Sequence, residues 1–230
     1  SDQKTSGYNR WRQEKGYDLN EPINFAQNLH FFIDYQIGWS YMRYFHWNFS
    51  GRQNDIQNMD QNPVYGNYES GITSLLTKQN ETSKHLSDNK GKNHYYYLPL
   101  LLGLIGIVFQ FMTKPSDAFS VLLFFLFTGV LIIFFLNVPP DQPRERDYAY
   151  VGSFYAFAIW IGLGVIGIFH FINLSIKTVI EKSKKISTIY AITCCLLTLG
   201  VPALMASENW DDHDRSHRTI AIDIAKNYLE

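Results

Sequence analysis

Asn137–Phe154, NVPPDQPRERDYAYVGSF, lies between two long apolar runs. Pro139, Pro140 and Pro143 fix φ and withhold their backbone donors, so the stretch is stiff. Arg144, Glu145, Arg146 and Asp147 follow without a break. A guanidinium group presents a planar fork of donors that matches phosphate oxygens. Arg144 and Arg146 are therefore candidates to bind a phosphate or diphosphate at a membrane edge. Glu145 and Asp147 are suited to support them as a base or as orienting groups. The competing reading is a brace, in which the charges pair with one another and with neighbouring loops. A weaker pair, Arg52 and Asp55 in Ser50–Asp60, is placed to face the same cavity as Arg146.

Two other constellations are weaker. Asp211, Asp212, His213 and Asp214 are chemically suited to a metal. Consecutive helix positions do not converge on one ion, so no metal site is expected and helix capping explains the acids better. Gly162, Gly164 and Gly167 have the spacing of a dinucleotide fingerprint, but they sit inside an apolar run rather than after a strand. Close helix packing in lipid accounts for them.

These groups need elements to hold them. The chain has 230 residues, is 46% hydrophobic and 16% aromatic, and carries a net charge of −1. Near-zero charge excludes a nucleic-acid binder, which needs a basic face. The mean hydropathy of −0.15 resembles that of a soluble protein. It averages three unlike parts: polar 1–94, apolar 95–206 and polar 207–230. The expected fold is an all-α integral membrane protein with about four spans, near 95–113, 118–138, 151–174 and 187–206. Each approaches the ~20 residues needed to cross a bilayer. Cys194 and Cys195 are adjacent and cannot form an ordinary structural disulfide with each other.

Before the spans, residues 1–22 read as a loop or a partly ordered arm. Asn24–Phe49 places Phe25, Leu29, Phe32, Gln36, Trp39, Arg43 and Trp47 at helical spacing. This aromatic helix lies either on the membrane surface or on the rest of the protein. Gln61–Asn93 reads as an irregular extracytoplasmic loop. Residues 207–230 form a further extracytoplasmic helix, with Asp212, Asp214 or Ser216 as its cap. Lys114 and the lysines of Ser175–Ile186 mark the cytoplasmic side. The proline link and both termini then face outward. A polar opening without an apolar core, and a helical pattern running into Glu230, suggest an internal piece of a longer protein.

YMRYFHWNFSGRQNDIQ, YYYLPLLLGLIGI, PRERDYAYVGSFYAFAIWIGLG and NWDDHDRSHRTIAIDIAKNYLE together resemble a known family, in the family's order. It is a Bacteroidota-type group of large membrane proteins described as a domain of unknown function. It is related to the animal protein O-mannosyltransferases of receptor and plexin ectodomains. The resemblance runs from about Asn24 to Glu230. It implies a glycosyltransferase of the C superfamily, which moves a sugar from a polyprenyl-phosphate donor to Ser or Thr hydroxyls of extracytoplasmic proteins. It implies the bacterial inner membrane and no cofactor beyond that donor substrate. Its implied partners are membrane lipids, the lipid-linked donor, an acceptor protein and the remainder of the parent protein. In that superfamily the catalytic acid lies in the first non-cytoplasmic loop, which this chain does not cover, so no catalytic residue is assigned here. The alternative is a non-catalytic membrane subunit that docks on secretion or envelope machinery through the aromatic helix. A transporter half ranks last, because such proteins carry charges or helix breaks within their spans.

Overall fold

The computed structural model of the protein describes residues 2–57, 61–77, 88–140, 145–180, 184–213, 216 and 219–229. It is mostly helical. In chain order the elements are α1 (Asp2–Glu14), α2 (Phe25–Phe31), a π-helix (Phe32–Met42), α3 (Arg43–Phe49) and β1 (Gly51–Arg52). Then come α4 (Ile72–Thr77), β2 (Asn93–His94), α5 (Leu98–Thr113), α6 (Pro115–Thr128) and α7 (Val130–Leu136). A 3₁₀ turn (Asp147–Tyr150) leads into α8 (Val151–Ile180), and α9 (Lys184–His213) and α10 (Ile220–Leu229) follow.

Three helical stretches are long and apolar enough to cross a membrane: Pro115–Leu136, Asp147–Leu174 and Ser187–Asp211. Their outer faces expose Phe119, Phe127, Phe135, Leu196 and Leu197, a surface that water does not tolerate. By length and composition the chain is an integral membrane protein. The expected fourth span, from Tyr95, is shorter than predicted. Tyr96 and Tyr97 have positive φ, so the helix begins only at Leu98 and has 16 residues. At 1.5 Å per residue it is about 24 Å long, short of ~30 Å of hydrocarbon. The tyrosines are tied elsewhere: Tyr95 N–H donates to the Ser50 carbonyl and Tyr96 N–H to that of Ser70.

The membrane core is the pairing of α5 with α8. Gly106 and Gly164 let the two backbones meet: a Cβ at Gly106 would collide with the Trp160 carbonyl oxygen, and one at Gly164 with that of Leu102. Gly167 packs against Ile105 and Phe109, whereas Gly162 has nothing within 4 Å and takes no part. Trp160 Nε1 donates to Gln110 Oε1 at 2.7 Å across this pair. Gly106→Val and Gly164→Val are therefore expected to destabilise by at least about 1–3 kcal/mol, because the obstacle is backbone. Gly162→Ala should be nearly neutral. Thermal unfolding in detergent distinguishes them, and an equal effect at all three sites would contradict the packing described.

Residues 1–22 are not the expected arm: Asp2–Glu14 is a helix, and its Trp11 is buried against Phe31 and Tyr35. The aromatic segment packs on the protein. Its buried positions are Gln27, Phe31, Tyr35, Gln36, Ser40, Tyr41, Arg43, Tyr44, Phe45, Trp47 and Phe49, so Gln36, Arg43 and Trp47 of the expected stripe are buried. From Phe31 through Tyr35 and Gln36 to Ser40 and Tyr41 the spacing exceeds the 3.6 residues of an α-helix, because Phe32–Met42 is wound as a π-helix. The expected α-helical stripe fails at its start, where Phe25 and Leu29 are exposed.

The loop over 61–93 is clasped by a short antiparallel pairing of β1 with β2. Glu69 sits 3.5 Å from His94 Nε2 and 3.8 Å from Lys92 Nζ. The His94 contact is the main cause holding its carboxyl below the ordinary 4.5; burial opposes this and Lys92 adds to it. A depressed carboxyl contributes stability that is complete above its unfolded value and is lost as pH falls through the folded one. Hydrogen-exchange protection across 66–71 and 91–96 is thus expected to fall on acidification below about pH 4.5. Glu69→Gln should remove that dependence, and an unchanged acid profile in that variant would disprove the role.

The C-terminal expectation also changes. Helix α9 continues through Asp211 and Asp212 to His213, so these acids close one helix rather than cap the next. Asp214 lies outside the described residues. The residue before α10 is Thr219, whose Oγ1 donates to Asp223 Oδ2 at 2.7 Å. Among the described residues no group of three metal-binding side chains occurs.

Candidate functional site

The aromatic segment and the end of the proline link meet at Glu145. Arg43 donates from Nη2 to Glu145 Oε2 at 2.7 Å and from Nη1 to Oε1 at 3.2 Å, a bidentate pair. Its Nη1 also donates to the Gly66 carbonyl at 2.9 Å. The guanidinium lies 4.4 Å from the ring of Trp39 and 4.7 Å from the rings of Tyr44 and Trp47. Arg43 is 4% exposed, so this cation is fully enclosed by counter-charge and aromatic faces. The Tyr44 hydroxyl donates to the same Glu145 carboxylate and accepts from Arg146 N–H at 3.3 Å. Burial holds the Tyr44 phenol well above its ordinary range, and Glu145 adds to this against the pull of Arg43. Tyr44 therefore stays a proton donor.

Glu145 is thus a brace to Arg43, as the structural reading of the link required. Arg146 is different. Among the described residues its buried Nε has no hydrogen-bond partner and Arg146 makes no ion pair. Near it is the hydroxyl of Tyr150, which is fully buried and also unpartnered. The Tyr41 ring packs edge-on to Tyr150 at 5.2 Å, and its hydroxyl, beside Ser153, makes no hydrogen bond of normal geometry among the described residues. Tyr41 reaches the break between α6 and α7: a Cβ at Gly129 would lie 2.6 Å from its oxygen. Each such group costs about 1–3 kcal/mol when left unmet. All three are hydrogen-bond donors, two of them hydroxyls that can also accept. A ligand rich in acceptor oxygens and carrying negative charge complements that set.

The other predicted residues divide. Arg144 lies outside the described residues. Asp147 opens the 3₁₀ turn that leads into α8, where an acid suits the helix dipole. Arg52 lies 4.0 Å from the Trp47 ring and donates from Nε to the Asn54 carbonyl at 3.0 Å. It joins Arg43 through the shared indole. Asp55 does not join: it is exposed, and its Oδ1 accepts from Asn89 Nδ2 at 2.7 Å. Arg43, Tyr44, Tyr41 and Tyr150 were missed as site residues. One signal was available, an arginine set among five aromatic residues in YMRYFHWNF. The chain matches no protein-family model, no curated protein and no solved structure.

Proposed function

We propose that this chain is the membrane portion of a protein O-glycosyltransferase, O-mannosyltransferase-like, whose Arg146 holds the phosphate of a polyprenyl-phosphate sugar donor. The observation that carries the reading is the set of donors on Arg146 Nε, Tyr150 and Tyr41, none with a hydrogen bond of normal geometry among the described residues, at the mouth of a membrane helix. A leaving phosphate gains negative charge as the sugar departs, and fixed donors stabilise that charge. Arg144 is assigned to the same phosphate from the link. Glu145, held by Arg43 and Tyr44, fixes the backbone on which Arg146 stands. The catalytic acid comes from the remainder of the parent protein. The link and both termini face outward from the bacterial inner membrane, and the lysines face the cytoplasm. The docking-subunit alternative draws less support, because the aromatic segment it would present buries most of its rings.

The test is sugar transfer. Membranes with the full-length parent protein receive a radiolabelled polyprenyl-phosphate sugar and an extracytoplasmic protein as acceptor. Label attached to Ser or Thr is the expected result. Absence of transfer to every acceptor tried, with the protein intact, would move the docking reading ahead.

A further inference from the structure

A second site lies at the start of the same link. A cavity of about 360 Å³ opens between α1, the aromatic segment and Asn137–Pro140. That volume falls in the range of ligand-binding pockets. The walls are held in place: Tyr35 donates its hydroxyl to the Pro140 carbonyl at 3.1 Å, and Gln36 Nε2 donates to Asn137 Oδ1 at 2.9 Å. The Tyr8 hydroxyl donates to Asn28 Oδ1 at 2.8 Å.

The chemistry of the lining is selective. It contains no Asp, Glu, Lys, Arg or His, so a charged ligand would find no counter-charge. Ile23, Phe31, Val138 and Pro139 supply apolar wall. Asn28 and Asn137 have their amide oxygens engaged, and their amide nitrogens have no partner among the described residues. A purely apolar ligand would leave those donors unmet. A sugar's clustered hydroxyls need several acceptors as well as donors, and two of the lining's amide oxygens, those of Asn28 and Asn137, already accept. A peptide backbone offers carbonyl oxygens to amide donors, and an aliphatic side chain fills apolar wall. We propose that this cavity binds an extended, uncharged peptide segment, with one aliphatic side chain among Ile23, Phe31, Val138 and Pro139 and backbone carbonyls accepting from Asn28 and Asn137. Identifying that segment as the acceptor rests on the transferase reading, whereas its capture does not involve Arg146.

The test uses the full chain in detergent micelles without any donor lipid. The probe is the peptide acetyl-Thr-Ala-Leu-Ala-Thr-amide, with a diazirine-bearing leucine. Cross-links are mapped by mass spectrometry. They are expected within 23–31 and 137–140, are displaced by the unlabelled peptide, and are untouched by methyl mannoside. Ile23 is 52% exposed, so Ile23→Trp should fold and yet block the rim, lowering the yield by about tenfold. Asn28→Ala and Asn137→Ala should each lower it several-fold, and Arg146→Ala should leave it unchanged. Cross-links elsewhere, displacement by methyl mannoside, or equal capture of a peptide with Asp beside the leucine would overturn the proposal. If capture fails while sugar transfer persists, the cavity assignment falls and the transferase reading stands.

Discussion

Replacing Arg146 with alanine is expected to lower sugar transfer by about 10²–10³-fold, the cost of deleting one positioned donor to developing negative charge. The protein should still accumulate and unfold at nearly the same temperature. The reason is that Arg146 makes no ion pair among the described residues and its Nε has no partner. Removing a half-buried cation that has no ion-pair partner among the described residues leaves no counter-charge orphaned behind it. Arg146→Lys keeps the charge but loses the planar fork, so it should recover part of the rate. Because the interaction strengthens as charge develops, the loss should fall on kcat as well as on kcat/KM. A structural role predicts the opposite pattern: a fall in stability, with the remaining folded enzyme working normally.

The second large effect is expected at Arg43. Arg43→Ala strips the bidentate partner from Glu145, whose side chain is 19% exposed, and empties the space between three aromatic rings. Breaking a buried pair by removing one partner costs about 3–5 kcal/mol, because the remaining charge is left unmet. Glu145→Gln should cost less than Arg43→Ala, since the amide oxygen still accepts from Arg43 and Tyr44. The double change Arg43→Met with Glu145→Met should restore part of the loss, as it leaves no charge unpaired. These are stability predictions, read by thermal or denaturant unfolding in detergent. A double variant less stable than the sum of Arg43→Met and Glu145→Met made singly would show that the pair is not the unit that matters. Because Arg43 holds the link on which Arg146 stands, Arg43→Ala should also reduce transfer, through folded protein lost rather than through the rate of the folded fraction.

The membrane helices were legible because length and apolarity survive any detail of packing, and three of the four expected spans hold. The first is present as the shorter apolar helix Leu98–Thr113, because Tyr95, Tyr96 and Tyr97, which look like an aromatic membrane anchor, lie outside it. The positive φ of Tyr96 and Tyr97 and the clasp to Ser50 and Ser70 are set by tertiary pairing. The face of the aromatic segment was read correctly at Gln36, Arg43 and Trp47 and wrongly at Phe25 and Leu29, because periodicity arguments assume 3.6 residues per turn and Phe32–Met42 does not keep it. Gly162, Gly164 and Gly167 were all read as packing residues from their apolar setting; Gly164 and Gly167 pack, and Gly162 does not. Gly106, on the opposite helix, has no local signature that separates it from any other glycine. The PRERDY link was visible as rigid and charged. Which of its charges was spent and which was free depended on Arg43, about a hundred residues earlier, and no local pattern joins the two.

The central claim is that Arg146 meets a lipid phosphate, and the direct measurement is ³¹P NMR of polyprenyl phosphate in nanodiscs carrying the purified protein. With the native chain, a bound phosphorus signal separate from the free lipid is predicted. It should vanish in Arg146→Ala and persist in Asp55→Ala, whose exposed carboxylate belongs to another loop. A bound signal of equal intensity in Arg146→Ala would contradict the account and return the whole PRERDY link to the role of a brace.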